Sequence, residues 1–216
     1  HRKLERPREQ CDMGLSVLDQ VYGGYKAEDG EARQAVDETR GVVLTSKSRV
    51  ARAYFHSSCG GATASLKETW GEDSDYLRGV ECPYCKDAPS YTWTYSLSYE
   101  KFGELLGVAA KARKRFTFDI VERSPSGRVL KARINDGGDE RILRGEDLRA
   151  KLGYSQLKST RFTFRAAQGR IEFQGQGSGH GVGLCQWGAA GMAKGGADYR
   201  RILDFYYPGT VLKRMY

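Results

Sequence analysis

The sequence predicts an α+β fold, rich in hairpins and mixed strands, with several short helices and glycine-rich loops. Three observations carry that expectation. Apolar residues alternate with period two in three separate pairs of runs, each pair joined by turn-forming residues. Between the pairs, apolar residues recur at the three-and-four spacing of short helices. No strand–helix–strand repeat recurs, which argues against a parallel sheet wound with helices. The 216 residues suffice to bury a core, and the chain reads as a single domain over 1–216.

The first hairpin falls within residues 36–55. Val42-Val43-Leu44 leads to a Ser46-Lys47-Ser48 turn, followed by Val50, Ala51, Ala53, Tyr54 and Phe55. A loop-like tract over 57–86 holds three of the five cysteines and Gly60-Gly61. Ser98 offers an N-cap to a helix over 99–113, where Phe102, Leu105, Leu106 and Ala109 share a face. The second hairpin joins 116–120 to 129–134 through Ser124-Pro125-Ser126-Gly127. A short helix is expected over Gly145–Leu152, with Glu146 and Asp147 in its positive first turn and Gly153 closing it. Phe162 and Phe164, then Gln168-Gly169, then Ile171 and Phe173 form the third hairpin. The end is helical in pattern over 189–194 and 199–206, stopped by Pro208-Gly209.

Composition removes several function classes. No apolar run approaches the roughly 18 residues of a membrane span, so no span is expected in this chain. The 35 basic residues exceed the 27 acidic ones by eight, which favours anionic partners. The basic residues are spread out rather than clustered with aromatics, so nucleic acid is not expected. The chain opens His1-Arg2-Lys3, with no initiator Met and no apolar signal core. It therefore reads as a partial or processed product whose export signal lies elsewhere. Five cysteines cannot all pair internally, which favours a metal or free-thiol role for at least one.

Two constellations carry chemistry. His56-Ser57-Ser58-Cys59 and Cys82-Pro83-Tyr84-Cys85 are two closely spaced donor pairs, and together they offer three sulfurs and one nitrogen to a tetrahedral metal. Zinc suits that set as a structural knuckle, because four protein donors leave no open position. The alternative is an oxidised pair, Cys59 with Cys82 or Cys85, beside a solvated His56. The second constellation runs from Gly175 to Ala189, with glycine at 175, 177, 179, 181, 183 and 188. His180 and Gln186 stand among these glycines beside Trp187, a mixture of polar donors and aromatic face that suits a sugar ring. A packed glycine-rich turn with a core histidine is the alternative. Cys185 reads as a buried small residue of that turn, with approach to the metal site as its other option, and Cys11 has no assigned role. Asp19, Asp37, Glu38, Glu68, Glu72 and Asp73 read as solvated charges, none picked out by its context.

Several ordered motifs then resemble one family. They are Gln20-Val21-Tyr22-Gly23-Gly24, Ala35-Val36-Asp37-Glu38-Thr39-Arg40-Gly41, Ala53-Tyr54-Phe55-His56-Ser57-Ser58-Cys59-Gly60-Gly61, Tyr76-Leu77-Arg78-Gly79-Val80, Gly179-His180-Gly181-Val182-Gly183-Leu184-Cys185-Gln186-Trp187-Gly188-Ala189 and Tyr206-Tyr207-Pro208-Gly209-Thr210. Over some nine-tenths of the chain the text resembles the stage II sporulation protein D and amidase-enhancer family. The resemblance implies a peptidoglycan lytic transglycosylase, acting on glycan strands stripped of stem peptides. In that chemistry a glutamate protonates the leaving oxygen, and the muramyl C6 hydroxyl closes on C1 to leave a 1,6-anhydro end. The resemblance also implies a cleft including the His56–Gly61 tract, zinc in some members, and a location outside the cytoplasm, on the wall side of a bacterial membrane. The family's catalytic glutamate lies on an N-terminal helix that nothing here matches, so the fragment is expected to lack its general acid and activity. Expected glycan contacts are His180 and Gln186, followed by Tyr22, Gln20 and Thr63. The other expectation is a non-catalytic wall-binding module, or one that activates a partner amidase.

Overall fold

The computed structural model describes residues 29–113 and 115–216. Cys11, Gln20 and Tyr22 lie outside the described residues. Two compact units divide the chain, one formed by the residues up to Arg52 with Val211–Tyr216, the other by Ala53–Thr210.

The first unit opens with α1 (Gly30–Glu38), whose N-cap Asp29 accepts the Ala32 N–H. Val36, placed in a strand run by the alternation, sits on this helix at 67% exposure. The cap and the acidic Glu31 in the first turn favour helix there over extension. β1 (Val42–Ser46) and β2 (Arg49–Val50) make the expected hairpin, with Lys47 and Ser48 both at positive φ. Two left-handed residues give the turn whose twist matches paired strands. The final strand β11 (Val211–Arg214) closes on the other side of β1.

The second unit carries two three-stranded antiparallel sheets. One has the order β4 (Thr92–Ser98), β9 (Arg170–Gln176), β8 (Phe162–Ala167). The other runs β5 (Thr117–Arg123), β6 (Val129–Asn135), β7 (Glu140–Arg144). The second and third expected hairpins are the β5–β6 and β8–β9 pairs, and Gln168 and Gly169 supply positive φ at the latter turn. Ile171 and Phe173 point inward from β9 while Gln174 points out, the period-two pattern of a half-buried strand. Between the sheets, Phe102 meets Phe118 edge-on at 5.0 Å and Phe173 at 5.6 Å. Burying such a ring contributes about 2–3 kcal/mol.

Helices seal the ends. α3 (Tyr99–Leu105) starts at the Ser98 cap as expected but stops at Leu106, well short of residue 113. α4 (Gly145–Leu152) buries Leu148 and Leu152 in the shared core, and Gly153 follows at positive φ. The remaining elements surround the functional residues: β3 (Phe55–His56), α2 (Leu66–Trp70), a 3-10 turn at Pro83–Cys85, β10 (Leu184–Cys185), α5 (Gln186–Lys194) and α6 (Tyr199–Tyr206). Trp93 ties the two regions together: its ring covers Gly175, where a Cβ would lie 2.1 Å from Cζ2, and its indole N–H donates to the Gly177 carbonyl at 2.8 Å. No helix among the described residues is long and apolar enough to cross a membrane.

Candidate functional site

A parallel bridge creates the first cluster. β3 pairs with β10 so that His56 faces Cys185 and Phe55 faces Leu184. Cys59 leaves β3 and the 3-10 turn brings up Cys82 and Cys85 from the other side. The sulfurs of Cys59, Cys82, Cys85 and Cys185 all lie within 4.8 Å of one another and all four residues are buried. The Cys59 and Cys85 sulfurs are 3.5 Å apart, and all four thiols are unoxidised. Hydrogen bonds from Cys185 and Cys59 lower the Cys82 thiol to about 7, and the same two partners push Cys85 down. Within the same set, the neighbouring thiols and burial push Cys59 and Cys185 up.

His56 stands outside the four-sulfur cluster, and Cys185 takes the fourth place in the set expected from His56, Cys59, Cys82 and Cys85. Strand geometry is the reason. The bridge sets Cys185 against the start of the Cys59 segment, where the Cys59 N–H donates to the Cys185 sulfur at 3.3 Å. The His56 ring instead reaches the Val182 carbonyl at 3.2 Å.

His56 belongs to the second cluster. Its ring lies 5.7 Å from His180, and His180 lies 5.1 Å from Trp70, which meets Tyr54 at 5.0 Å. Val182 sets both imidazoles through the two sides of its backbone. Its N–H donates to His180 Nδ1 at 3.0 Å, and its carbonyl accepts from His56 Nδ1. The His180 proton therefore sits on Nε2, while His56 Nε2 carries a lone pair, buried and without a protein partner. Burial, then the Arg128 guanidinium, pull His180 down to about 4, and the same causes hold His56 well below its usual value. Both rings are neutral at pH 7. Arg128 is 2% exposed and donates through Nη2 to the Cys59 carbonyl at 3.3 Å.

The other expected contacts are placed differently. Gln186 is exposed at the first turn of α5, directly after Cys185, whose sulfur caps that helix by accepting the Gly188 N–H. Thr63 is buried, and its hydroxyl is engaged with Val80, accepting the N–H at 2.7 Å and facing the carbonyl at 3.4 Å. Trp70, 41% exposed at the end of α2, was not singled out by sequence reasoning. Its only signal was an aromatic in a polar tract, and its contact with His180 depends on the fold. Glu68, on the same helix, is half-buried and accepts hydrogen bonds from Ser126 and Ser65.

A family model described as "Domain of unknown function (DUF8618)" matches residues 71–183, more than half of the chain. The chain belongs to this family. The DUF8618 match contains Cys82, Cys85 and His180, and Cys59 and Cys185 flank it. Over 200 residues the chain is 38% identical to an uncharacterized protein of Brachyspira hyodysenteriae, covering 92% of this chain and 53% of that one. It is 35% identical over 202 residues to stage II sporulation protein D of Bacillus amyloliquefaciens, covering 93% and 56% respectively. It is 27% identical over 242 residues to the amidase enhancer of Bacillus subtilis, covering 89% and 34%. The chain thus spans about half the length of the first two relatives and a third of the last. These similarities support the sporulation protein D-like character read from the motifs.

Proposed function

We propose that this chain is a bacterial cell-wall domain that binds peptide-stripped peptidoglycan strands and acts, within its complete protein, as a lytic transglycosylase domain producing 1,6-anhydro-muramyl ends. The observation that carries the reading is the aromatic surface of Trp70, Tyr54 and His180, held beside the glycine-rich 175–183 backbone. A partly exposed indole covers the apolar C–H face of a pyranose, and the neutral His180 ring, held by backbone hydrogen bonds, extends that aromatic face without adding a charge. Gln186 adds an exposed amide that both donates and accepts, as acetamido and hydroxyl groups require. Similarity to proteins named stage II sporulation protein D supports the wall substrate and a location on the wall side of the membrane. The proton donor of the cleavage is assigned to no residue here.

Zinc fits the thiol cluster: four buried sulfurs within 4.8 Å of one another form a closed donor set. Cys59, Cys82, Cys85 and Cys185 would hold the ion, which supplies a structural cross-link and no reactive position. The residues that would touch glycan are carried by the elements the four cysteines tie together.

A second reading has its own support in the relative named amidase enhancer. In it, the chain binds wall glycan or activates a partner amidase without cleaving glycan itself. Mass spectrometry of products from peptide-free strands separates the two, using this chain alone and extended by its upstream reading frame. Anhydro-muramyl products from either form support the transglycosylase. Strand binding without products from both moves the conclusion to the wall-binding module, and absence of binding refutes both.

A further inference from the structure

A groove of about 630 Å³ lies on the outer face of the β4–β9–β8 sheet, apart from the His180 surface and the thiol cluster. Strand register builds its floor from two polar rows. Thr94, Gln174 and Thr163 form one, and Thr92 and Gln176 continue into Arg161 in the next. Its wall is the β5–β6 turn, which contributes Arg123 and Gly127.

Both arginines line the groove beside that turn. Arg123 Nη1 donates to the Gly127 carbonyl at 3.1 Å, and its Nη2 donates to the Phe162 carbonyl at 2.9 Å. Arg161 comes to the same glycine from the other side, its Nε 3.6 Å from the position a Gly127 Cβ would take, while its Nη1 donates to the Gly60 carbonyl at 2.8 Å. Both guanidinium groups are thus held at the groove by backbone carbonyls. Among the described residues no carboxylate stands within ion-pair distance of either. Each guanidinium is held by backbone carbonyls rather than neutralised by an ion-paired acid, and a guanidinium's planar set of N–H donors matches a carboxylate.

We propose that this groove is a second binding site, which takes a carboxylate-bearing oligosaccharide with its carboxylate on the Arg123–Arg161 pair and its hydroxyl and acetamido groups on the threonine and glutamine rows. The hydroxyls and amides of the floor both donate and accept, as a sugar chain requires. A phosphate-bearing polyol could meet the arginines but would make little use of so many neutral amide partners. The proposal rests on the wall-glycan reading above and adds to it a place where the strand's acidic groups are recognised.

The test measures binding of three probes by the full chain: peptide-free muramic-acid strands, the same strands with carboxyl groups reduced to alcohols, and a polyol phosphate of similar length. The expected result is that carboxyl reduction weakens binding at least about tenfold. Arg123→Gln and Arg161→Gln should each abolish that preference while reduced strands bind as before. Arg123→Lys and Arg161→Lys should restore part of it, and thermal melts identify any variant that misfolds. If intact and reduced strands bind alike, or if the glutamine variants keep the preference, the groove assignment is overturned while the wall-glycan reading stands. A preference for the polyol phosphate on the same arginines overturns the carboxylate assignment. No binding of any strand overturns both readings together.

Discussion

Replacing Cys185 by serine, beside His56 by glutamine, decides which residue completes the metal set. A tetrahedral zinc with sulfur at about 2.3 Å places its sulfurs about 3.8 Å apart. Cys59 and Cys85 already stand at 3.5 Å, and no pair in the cluster exceeds 4.8 Å. Loading the ion therefore requires sulfur movements of about 1 Å or less. Structural zinc contributes about 10–16 kcal/mol in small peptide sites, or about 2.5–4 kcal/mol for each of four ligands. At this chain length that corresponds to a fall in Tm of about 5–16 °C. Cys185→Ser should lose its equivalent of zinc, measured by metal analysis of the purified protein, and melt lower by that amount. It should also be indifferent to chelator. His56→Gln should keep the metal and an unchanged cobalt-thiolate absorption spectrum, because glutamine still donates to Val182 and costs about 1 kcal/mol at most. Retention of metal by Cys185→Ser together with its loss from His56→Gln would refute the four-thiol assignment.

Other consequences are more local. His180 titrates near 4 when folded and about 6.5 when unfolded, so between those values the unfolded chain binds more protons. Stability should be full above pH 6.5 and fall by about 3 kcal/mol as pH drops to 4; denaturant midpoints across that range check it, and a flat profile in the parent would contradict the burial argument. Gly183→Ala should destabilise by about 2–4 kcal/mol, since φ is +73° and a Cβ would lie 2.0 Å from the Tyr54 carbonyl oxygen; an unchanged unfolding midpoint would show that the loop yields. Trp70→Ala should weaken strand binding about two- to tenfold with little change in Tm, because the ring is half out of the protein. Equal affinity in a binding titration would remove Trp70 from the saccharide surface.

Local chemistry made much of the fold legible. The hairpin turns at Lys47-Ser48 and Gln168-Gly169, the Ser98 cap and the α4 helix follow from neighbours a few residues apart. Strands β4 and β7 were missed, β4 although Trp93, Tyr95 and Leu97 alternate inward, β7 because its five residues are mostly exposed. The extended state of β7 comes from pairing with β6 rather than from its own pattern. In the candidate site the same division appears. Cys82 and Cys85 are visible as a pair, whereas the choice of Cys185 over His56 depends on a two-residue parallel bridge across most of the chain. Trp70 meets His180 by the same long-range route.

The order of the four cysteines along the chain has a kinetic consequence. Everything from Thr92 to Gln176, including both sheets, lies between the third thiol and the fourth. Bringing Cys185 to Cys85 in an unfolded chain closes a loop of about 100 residues, at an entropic cost of about 4 kcal/mol beyond the constant for any closure. Once the sheets have formed, their own packing holds most of that loop shut. The fourth thiol should thus join last, so that the cluster fastens a body already folded, and chelator would loosen the fastening while the β4–β9–β8 and β5–β6–β7 sheets keep their amide-exchange protection.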